Sequence, residues 1–395
     1  MKYILIIADG AADKPIAKLS DKTPLEYLDL PGFDTIAGGT TGLARTVPIG
    51  AEPGSDTAIL TIFGHSLTNY TGRAALEAAG AGVALRRDQA AFRVNLCTVK
   101  PAERFEDCVM LSHNGTGIEG EDALALAETL SHIANPPIRI KVHPSPTFRH
   151  IGVLDADDMP QDPRVKEPHN ILGERIGDYL PTDERLKQWM SKAYAALSAN
   201  PVNTRRGASA ANCAWPWAYG RGMELASFPE KYRRSGTVIT AVPLLKGIAR
   251  LSGLTAPNIE GATGDINTNY EAKLEAALSA LAGGGFAAIH IEAPDECSHA
   301  KDTEGKLEAI RRIDARIILP LLARMPKLDA DFRVLLLPDH PTLLANGMHD
   351  GAPVPFAIYD SRKKGEPRKF GEASAANGVS VEDGTRLMDM LFETE

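Results

Sequence analysis

Apolar residues along this chain come in short unbroken runs rather than in alternating stripes. Residues 3–8, 286–291 and 332–337 are the clearest, and each ends in an acidic residue a few positions later. A run of that length, apolar on every position, reads as a strand buried on both faces, the kind found in parallel sheets. Between such runs lie stretches with helical spacing: a Pro-led segment over 23–37 stopped by Gly38-Gly39, then 58–63, 74–79, 244–251, 270–281 and 307–322. Further strands are expected over 40–47, 237–242 and 354–359. Strands alternating with helices predict an α/β fold with one mostly parallel sheet flanked by helices.

The middle of the chain has a different texture. Strand-like pieces at 92–99, 138–142 and 150–153 surround a helical stretch over 120–134. A polar, Asp- and Pro-rich surface loop (155–168) and an amphipathic helix (182–197) follow. Asn200-Pro201 and the run from Arg205 to Ser209 read as a linker. The expected organisation is a catalytic domain built from 1–92 and 201–395, interrupted by a smaller α+β domain over 93–200.

Composition narrows the function classes. A 395-residue chain has room for two domains and a sizeable core. Its formal net charge of -8 leaves no basic surplus to neutralise a nucleic-acid backbone, although a local basic pocket for a small anion is still open. Cys97, Cys108, Cys213 and Cys297 form no CxxC pair, which suits reduced thiols and a cytoplasmic location. No apolar run approaches the ~20 residues of a membrane span.

The candidate chemistry sits at the strand ends, where α/β folds place their ligands. Asp9 follows the first run and is either a ligand or an acid that turns the chain. Asp295 and His299 are four residues apart, so on a helix they share a face. Asp339 and His340 are adjacent at another strand end, and His349 follows in a loop flexible enough to fold back. Three carboxylates and three imidazoles suit Mn²⁺, Mg²⁺ or Zn²⁺. Ser55, in Pro53-Gly54-Ser55-Asp56-Thr57, is either a helix N-cap or a nucleophile. Gly54 before it is expected to adopt backbone angles closed to other residues. Two metal ions at such a serine would stabilise the attacking and leaving oxygens of phosphoryl transfer. No GxxxxGK[ST] motif supports a Walker-type ATP site.

With these residues in place, the chain resembles the alkaline-phosphatase superfamily, and more closely the archaeal-type, cofactor-independent phosphoglycerate mutases. The resemblance runs nearly the whole length. It is carried by ILIIADGAADKPI, KTPLEYLDLPGFDTIA, PGSDTAILTIFGH, YTGRAALEAAG, HNILGERIGDYLP, EGATGDINTNYEAK, IHIEAPDECSHAKD and LLLPDHPT, and by His349 four residues before PVPF.

The resemblance implies an alkaline-phosphatase-like fold and a phosphoserine mechanism. Ser55 would take the phosphoryl group from 3-phosphoglycerate, and the group would return to the 2-hydroxyl of the retained glycerate. One divalent ion would be held by Asp9, Ser55, Asp339 and His340, and a second by Asp295, His299 and His349, with Mn²⁺ the first choice. The inserted domain would close over the substrate and exclude water. Arg73, Arg93, Arg149 and His150, with Arg205 and Lys246 behind them, are the cations expected to grip a small phosphorylated acid. A solvated role for Arg73, and a domain-holding role for any hinge arginine, stay open. Homo-oligomerisation stays open. The alternatives are a metal-dependent phosphatase or phosphotransferase on another small phosphorylated acid, and a non-catalytic binding protein on the same scaffold. Two tracts depart from the family pattern: Ser112-His113-Asn114-Gly115-Thr116-Gly117, where an Arg-rich turn is usual, and Trp215-Pro216-Trp217-Ala218, where Ala218 replaces a glycine. Both bear on the substrate more than on the chemistry.

Overall fold

The computed structural model describes residues 1–363 and 365–393. It divides into two compact units, one made of Met1–Asn69 with the chain from Leu225 onward, the other of Tyr70–Glu224.

The first unit is built on a seven-stranded sheet. Its central strands are the three apolar runs: Lys2–Ala8 lies between Phe332–Leu337 and Phe286–Ile291, parallel to both. Gly236–Ile239 extends the parallel set on one side. On the other, Val354–Asp360 runs antiparallel to both of its neighbours, Phe332–Leu337 and Thr40–Ala44, and Val379–Val381 closes the edge. Nearly every side chain of the three central strands is buried, which is why their sequences do not alternate. Helices such as Tyr270–Gly283 and Thr303–Ile313 cover the sheet and share its core.

Two helical expectations are broken up in the structure. The 23–37 segment forms two short helices, Pro24–Tyr27 and Pro31–Ile36, because Pro31 can start a helix but not continue one. The 307–322 helix becomes Thr303–Ile313 and Leu319–Leu328, joined by a π-turn over Asp314–Ile318. Asp314 Oδ1 accepts the Phe33 N–H at 2.9 Å, so the wide turn presents a carboxylate to the start of a neighbouring helix.

The second unit is an antiparallel five-stranded sheet with two principal helices, Gly120–Ser131 and Glu184–Ser198. Its edges fall outside the 93–200 span read from the sequence. The strand Cys213–Arg221 pairs along Ala90–Lys100, and the helix Arg73–Gly80 packs its alanines on the same sheet. Pro216 hides this strand in the sequence; it is tolerated because Cys213–Arg221 pairs on one side only. The supposed linker is partly helix, Pro201–Arg206, capped by the Asn200 side chain. Ala218 has a φ of +51°, a left-handed conformation that favours glycine. The cost of alanine there is therefore one of backbone angle rather than of room.

Candidate active site

Adjacent parallel strands bring the acids together. Ile7 is in register with Leu337 on one side and His290 on the other. Each strand then ends, so Asp9 stands beside Asp339, and Asp295 follows on the short helix Ala293–His299. Gly10 turns the chain away at a φ of +63°, and its N–H donates to Asp339 Oδ1 at 3.1 Å. A side chain at this position would meet Asp295 within 2.7 Å. The His340 N–H donates to the same Asp339 oxygen at 2.9 Å.

The three histidines are held by their Nδ1 atoms. His299 Nδ1 donates to Gly347 O at 2.8 Å, and His349 Nδ1 donates to Pro53 O at 3.3 Å. Carbonyl oxygens only accept, so both Nδ1 atoms carry the proton. Thr342 Oγ1 donates to Asp295 Oδ1 at 2.6 Å, which leaves it to accept from His340 Nδ1 at 3.2 Å. All three Nε2 atoms thus face inward. His349 reaches the site through a tight two-stranded ribbon, with Thr342 opposite His349, rather than through a slack loop.

The inward atoms form two overlapping groups. Asp9, Asp339 and His340 make one, and Asp295, His340 and His349 the other. His299 Nε2 lies 3.1 Å from Asp295 Oδ2 and 3.1 Å from His349 Nε2. His340 therefore adjoins both groups, whereas the sequence reading gave it to one. Ser55 Oγ is 3.2 Å from His340 Nε2.

Ser55 is the first residue of the helix Ser55–Ile62, and its side chain is bonded to His340 rather than to a helix amide. Gly54 takes the cap position with a φ of 179°, ordinary extended backbone, so the special angles expected of it are not used. The helix is anchored by Thr57 Oγ1, whose one hydrogen is shared between Glu52 O and Gly54 O, and by its buried face from Thr57 to Ile62. This leaves the serine half-buried and directed at the histidine.

Burial and the close packing of these groups shift their titration. Burial first, then the fields of Asp339, Asp295 and Glu292, push the Asp9 carboxyl well above its usual range. Burial works against ionisation of Asp295 too, yet hydrogen bonds with His299 and His349 hold it well below the usual range. His299 is pushed up to about 9, chiefly by its bond to Asp295.

The remaining predicted residues lie elsewhere. In the second unit Arg73 and Arg93 both form ion pairs with the buried Glu77, at 2.9 and 2.8 Å, and Arg149 adds to the field that lowers the Glu77 pKa against its burial. The Arg93 guanidinium lies over the Trp217 ring, 4.4 Å from its centroid, and the rings of His113 and His169 adjoin. His150 is buried; its Nδ1 accepts from the Ser145 N–H at 3.0 Å. Arg205 pairs with Asp122 at the surface. Lys246, in the first unit, donates to Asn258.

Three residues at the site escaped sequence reasoning: Thr46, Thr342 and His290. Thr46 Oγ1 donates to Asp339 O. Only His290 left a signal, as a polar residue inside an apolar run, since a buried polar group demands a partner.

Comparison with known proteins places the arrangement in a family. Over 404 residues the chain is 39% identical to the probable 2,3-bisphosphoglycerate-independent phosphoglycerate mutase of Geobacter sulfurreducens, covering all of both chains. It is 39% identical over 404 residues, again covering all of both, to the enzyme of that name from Methanosarcina acetivorans. The chain belongs to the 2,3-bisphosphoglycerate-independent phosphoglycerate mutase family. The family's own model matches residues 37–203. A solved structure from Pyrococcus horikoshii shares the fold with a TM-score of 0.77 and 26% identity, over 100% of this chain and 98% of that one. The cofactor-independent phosphoglycerate mutase of Thermoplasma acidophilum does so with a TM-score of 0.63 and 24% identity, over 99% of each.

Membership of this mutase family implies divalent metal ions, and the donors fit them. Asp9 Oδ1 and Asp339 Oδ2 are buried without a hydrogen-bond donor, an arrangement that costs several kcal/mol unless a cation compensates, on the order of the penalty for an unpaired buried charge. The facing Nε2 atoms of His299 and His349, both with Nδ1 committed to carbonyls, likewise need a cation or a proton between them. Among the described residues no helix is long and apolar enough to cross a membrane.

Proposed function

We propose that this protein interconverts 3-phosphoglycerate and 2-phosphoglycerate without bisphosphoglycerate, with Ser55 carrying the phosphoryl group between the two positions. The observation that carries this is Ser55 Oγ, 3.2 Å from His340 Nε2 at the start of a helix and beside the Asp9, Asp339 and His340 group.

In the first half-reaction Ser55 Oγ forms a bond to phosphorus, and the bond from phosphorus to the C3 oxygen breaks. In the second, the C2 oxygen of the same glycerate attacks the phosphoserine and Ser55 is released. No water is consumed, so the balance is an isomerisation. Helix N–H groups at Ser55 favour the anion that forms there. Asp9, Asp339 and His340, with Ser55, would hold one divalent ion; Asp295, His299 and His349 would hold another, with His340 adjoining both. Such ions supply Lewis-acid stabilisation of the transferring phosphoryl charge and lower the pKa of a hydroxyl. Two ions and Mn²⁺ are our first choice, from the mixed carboxylate and imidazole donors. For the anionic groups of the substrate, we retain Arg149, whose charge acts on His113 and His169. Arg73 and Arg93 are held by Glu77 and Arg205 by Asp122, which favours structural work for all three. The free cysteines suit a cytoplasmic location.

The test uses purified protein, Mn²⁺ and 3-phosphoglycerate, with no bisphosphoglycerate added. Formation of 2-phosphoglycerate without free phosphate is the expected result. Phosphate release with no isomer would overturn the mutase reading in favour of a phosphatase.

A further inference from the structure

We propose that His290, oriented by Thr240, is a positioning residue that decides which oxygen of Asp9 is offered to the metal centre. The inference rests on the reading of Asp9 as a metal ligand.

His290 lies on the central strand Phe286–Ile291, across from Ile7, and is buried together with Thr240. Its Nε2 is 2.9 Å from Asp9 Oδ2, and its Nδ1 is 3.1 Å from Thr240 Oγ1. Thr240 Oγ1 accepts the Val242 N–H at 3.0 Å and still has its own hydrogen to donate to Nδ1. Asp9 as an ionised metal ligand can only accept, and this fixes the tautomer. With Nδ1 accepting, the ring proton is on Nε2 and points at Asp9. The opposite tautomer would set a nitrogen lone pair against a carboxylate oxygen at hydrogen-bond distance. The chain of donors therefore runs from the Val242 amide through Thr240 and His290 to Asp9.

The consequence is an asymmetric carboxylate. Asp9 Oδ2 is satisfied by the His290 N–H, while Oδ1 is buried without a donor, 3.9 Å from His340 Nε2. One oxygen is tied down and the other is presented. A hydrogen bond of this kind fixes the orientation of a ligand, and losing such a partner commonly weakens metal binding by about 10–100-fold. His290 reaches the groups that would hold the ions through Asp9, and it needs no contact with substrate.

The experiment is calorimetric titration of Mn²⁺ into the full-length protein stripped of metal. His290→Gln keeps an N–H donor near the same place; His290→Phe keeps a flat ring and loses the donor. The Phe variant should weaken a Mn²⁺ equivalent by about 10–100-fold, while the Gln variant stays within a few-fold of wild type. Thr240→Val, which frees the ring to change tautomer, should fall between them. Equal affinities for the Phe and Gln variants, whether both unchanged or both weakened, overturn the role. Should the Phe variant fail to fold, Thr240→Val decides: Mn²⁺ affinity equal to wild type overturns it. Wild-type protein that binds no Mn²⁺, Mg²⁺ or Zn²⁺ would instead remove the metal-site reading, which separates that failure from this one.

Discussion

Ser55→Ala separates a helix cap from a nucleophile in one experiment. A serine acting as N-cap would cost about 0.5–2 kcal/mol of stability when replaced by alanine. Here Ser55 is the first helical residue, and its side chain is bonded to His340 rather than to a helix amide. Alanine gains roughly 0.5 kcal/mol of helix propensity at such a position. Against that stands the single contact to His340, and a hydrogen bond of this kind contributes about 0.5–1.5 kcal/mol net. The sum is within about 1 kcal/mol of zero. Chemical unfolding of the variant should therefore overlay that of wild type. Turnover of 3-phosphoglycerate should fall by at least roughly a thousandfold, since removal of a nucleophile leaves only binding and electrostatics. The two assays are read together on the same preparation. Activity within tenfold of wild type would remove Ser55 from the chemistry, and a stability loss near 2 kcal/mol would restore the cap.

Two further outcomes follow from the same geometry. Gly10→Ala places a side chain in the left-handed region, which costs about 1–2 kcal/mol, and within 2.7 Å of the Asp295 backbone. Overpacking adds about 1–3 kcal/mol; a lowered thermal midpoint together with weakened Mn²⁺ binding is expected, and a wild-type midpoint would contradict the close approach. Glu372 is half-buried, accepting from Thr23 Oγ1 and the Asp13 N–H, and desolvation pushes its carboxyl up to about 7. The folded state then holds a proton that the unfolded chain releases near its ordinary value of 4.5, so stability should fall as pH rises through that window. The loss is about 3 kcal/mol at most on the linkage relation. Glu372→Gln should flatten the slope between pH 4.5 and 7, and parallel pH–stability curves for the two proteins would refute the assignment.

The three central strands were legible because a strand buried on both faces has no freedom to alternate. Their positions also placed Asp9, Asp295 and Asp339 at strand ends, and helical spacing paired Asp295 with His299. Local chemistry of this sort is written in consecutive residues. Partnerships across the sheet are not. Which strand lies beside which put Asp9 next to Asp339 and set His290 behind it, and no spacing along the chain encodes that order. The ribbon that returns His349 opposite Thr342, and the Thr342 hydroxyl that orients His340, likewise depend on where the backbone turns. Cys213–Arg221 joined the second unit's sheet despite Pro216, because an edge strand does not need every N–H. Ser55 shows the division most clearly. Its turn and helix were readable from Pro53 to Phe63, but its role depended on a histidine 285 residues away. Periodicity carries burial and hydrogen-bonding within an element; the direction of a side chain toward a distant partner is settled only when the whole core has packed.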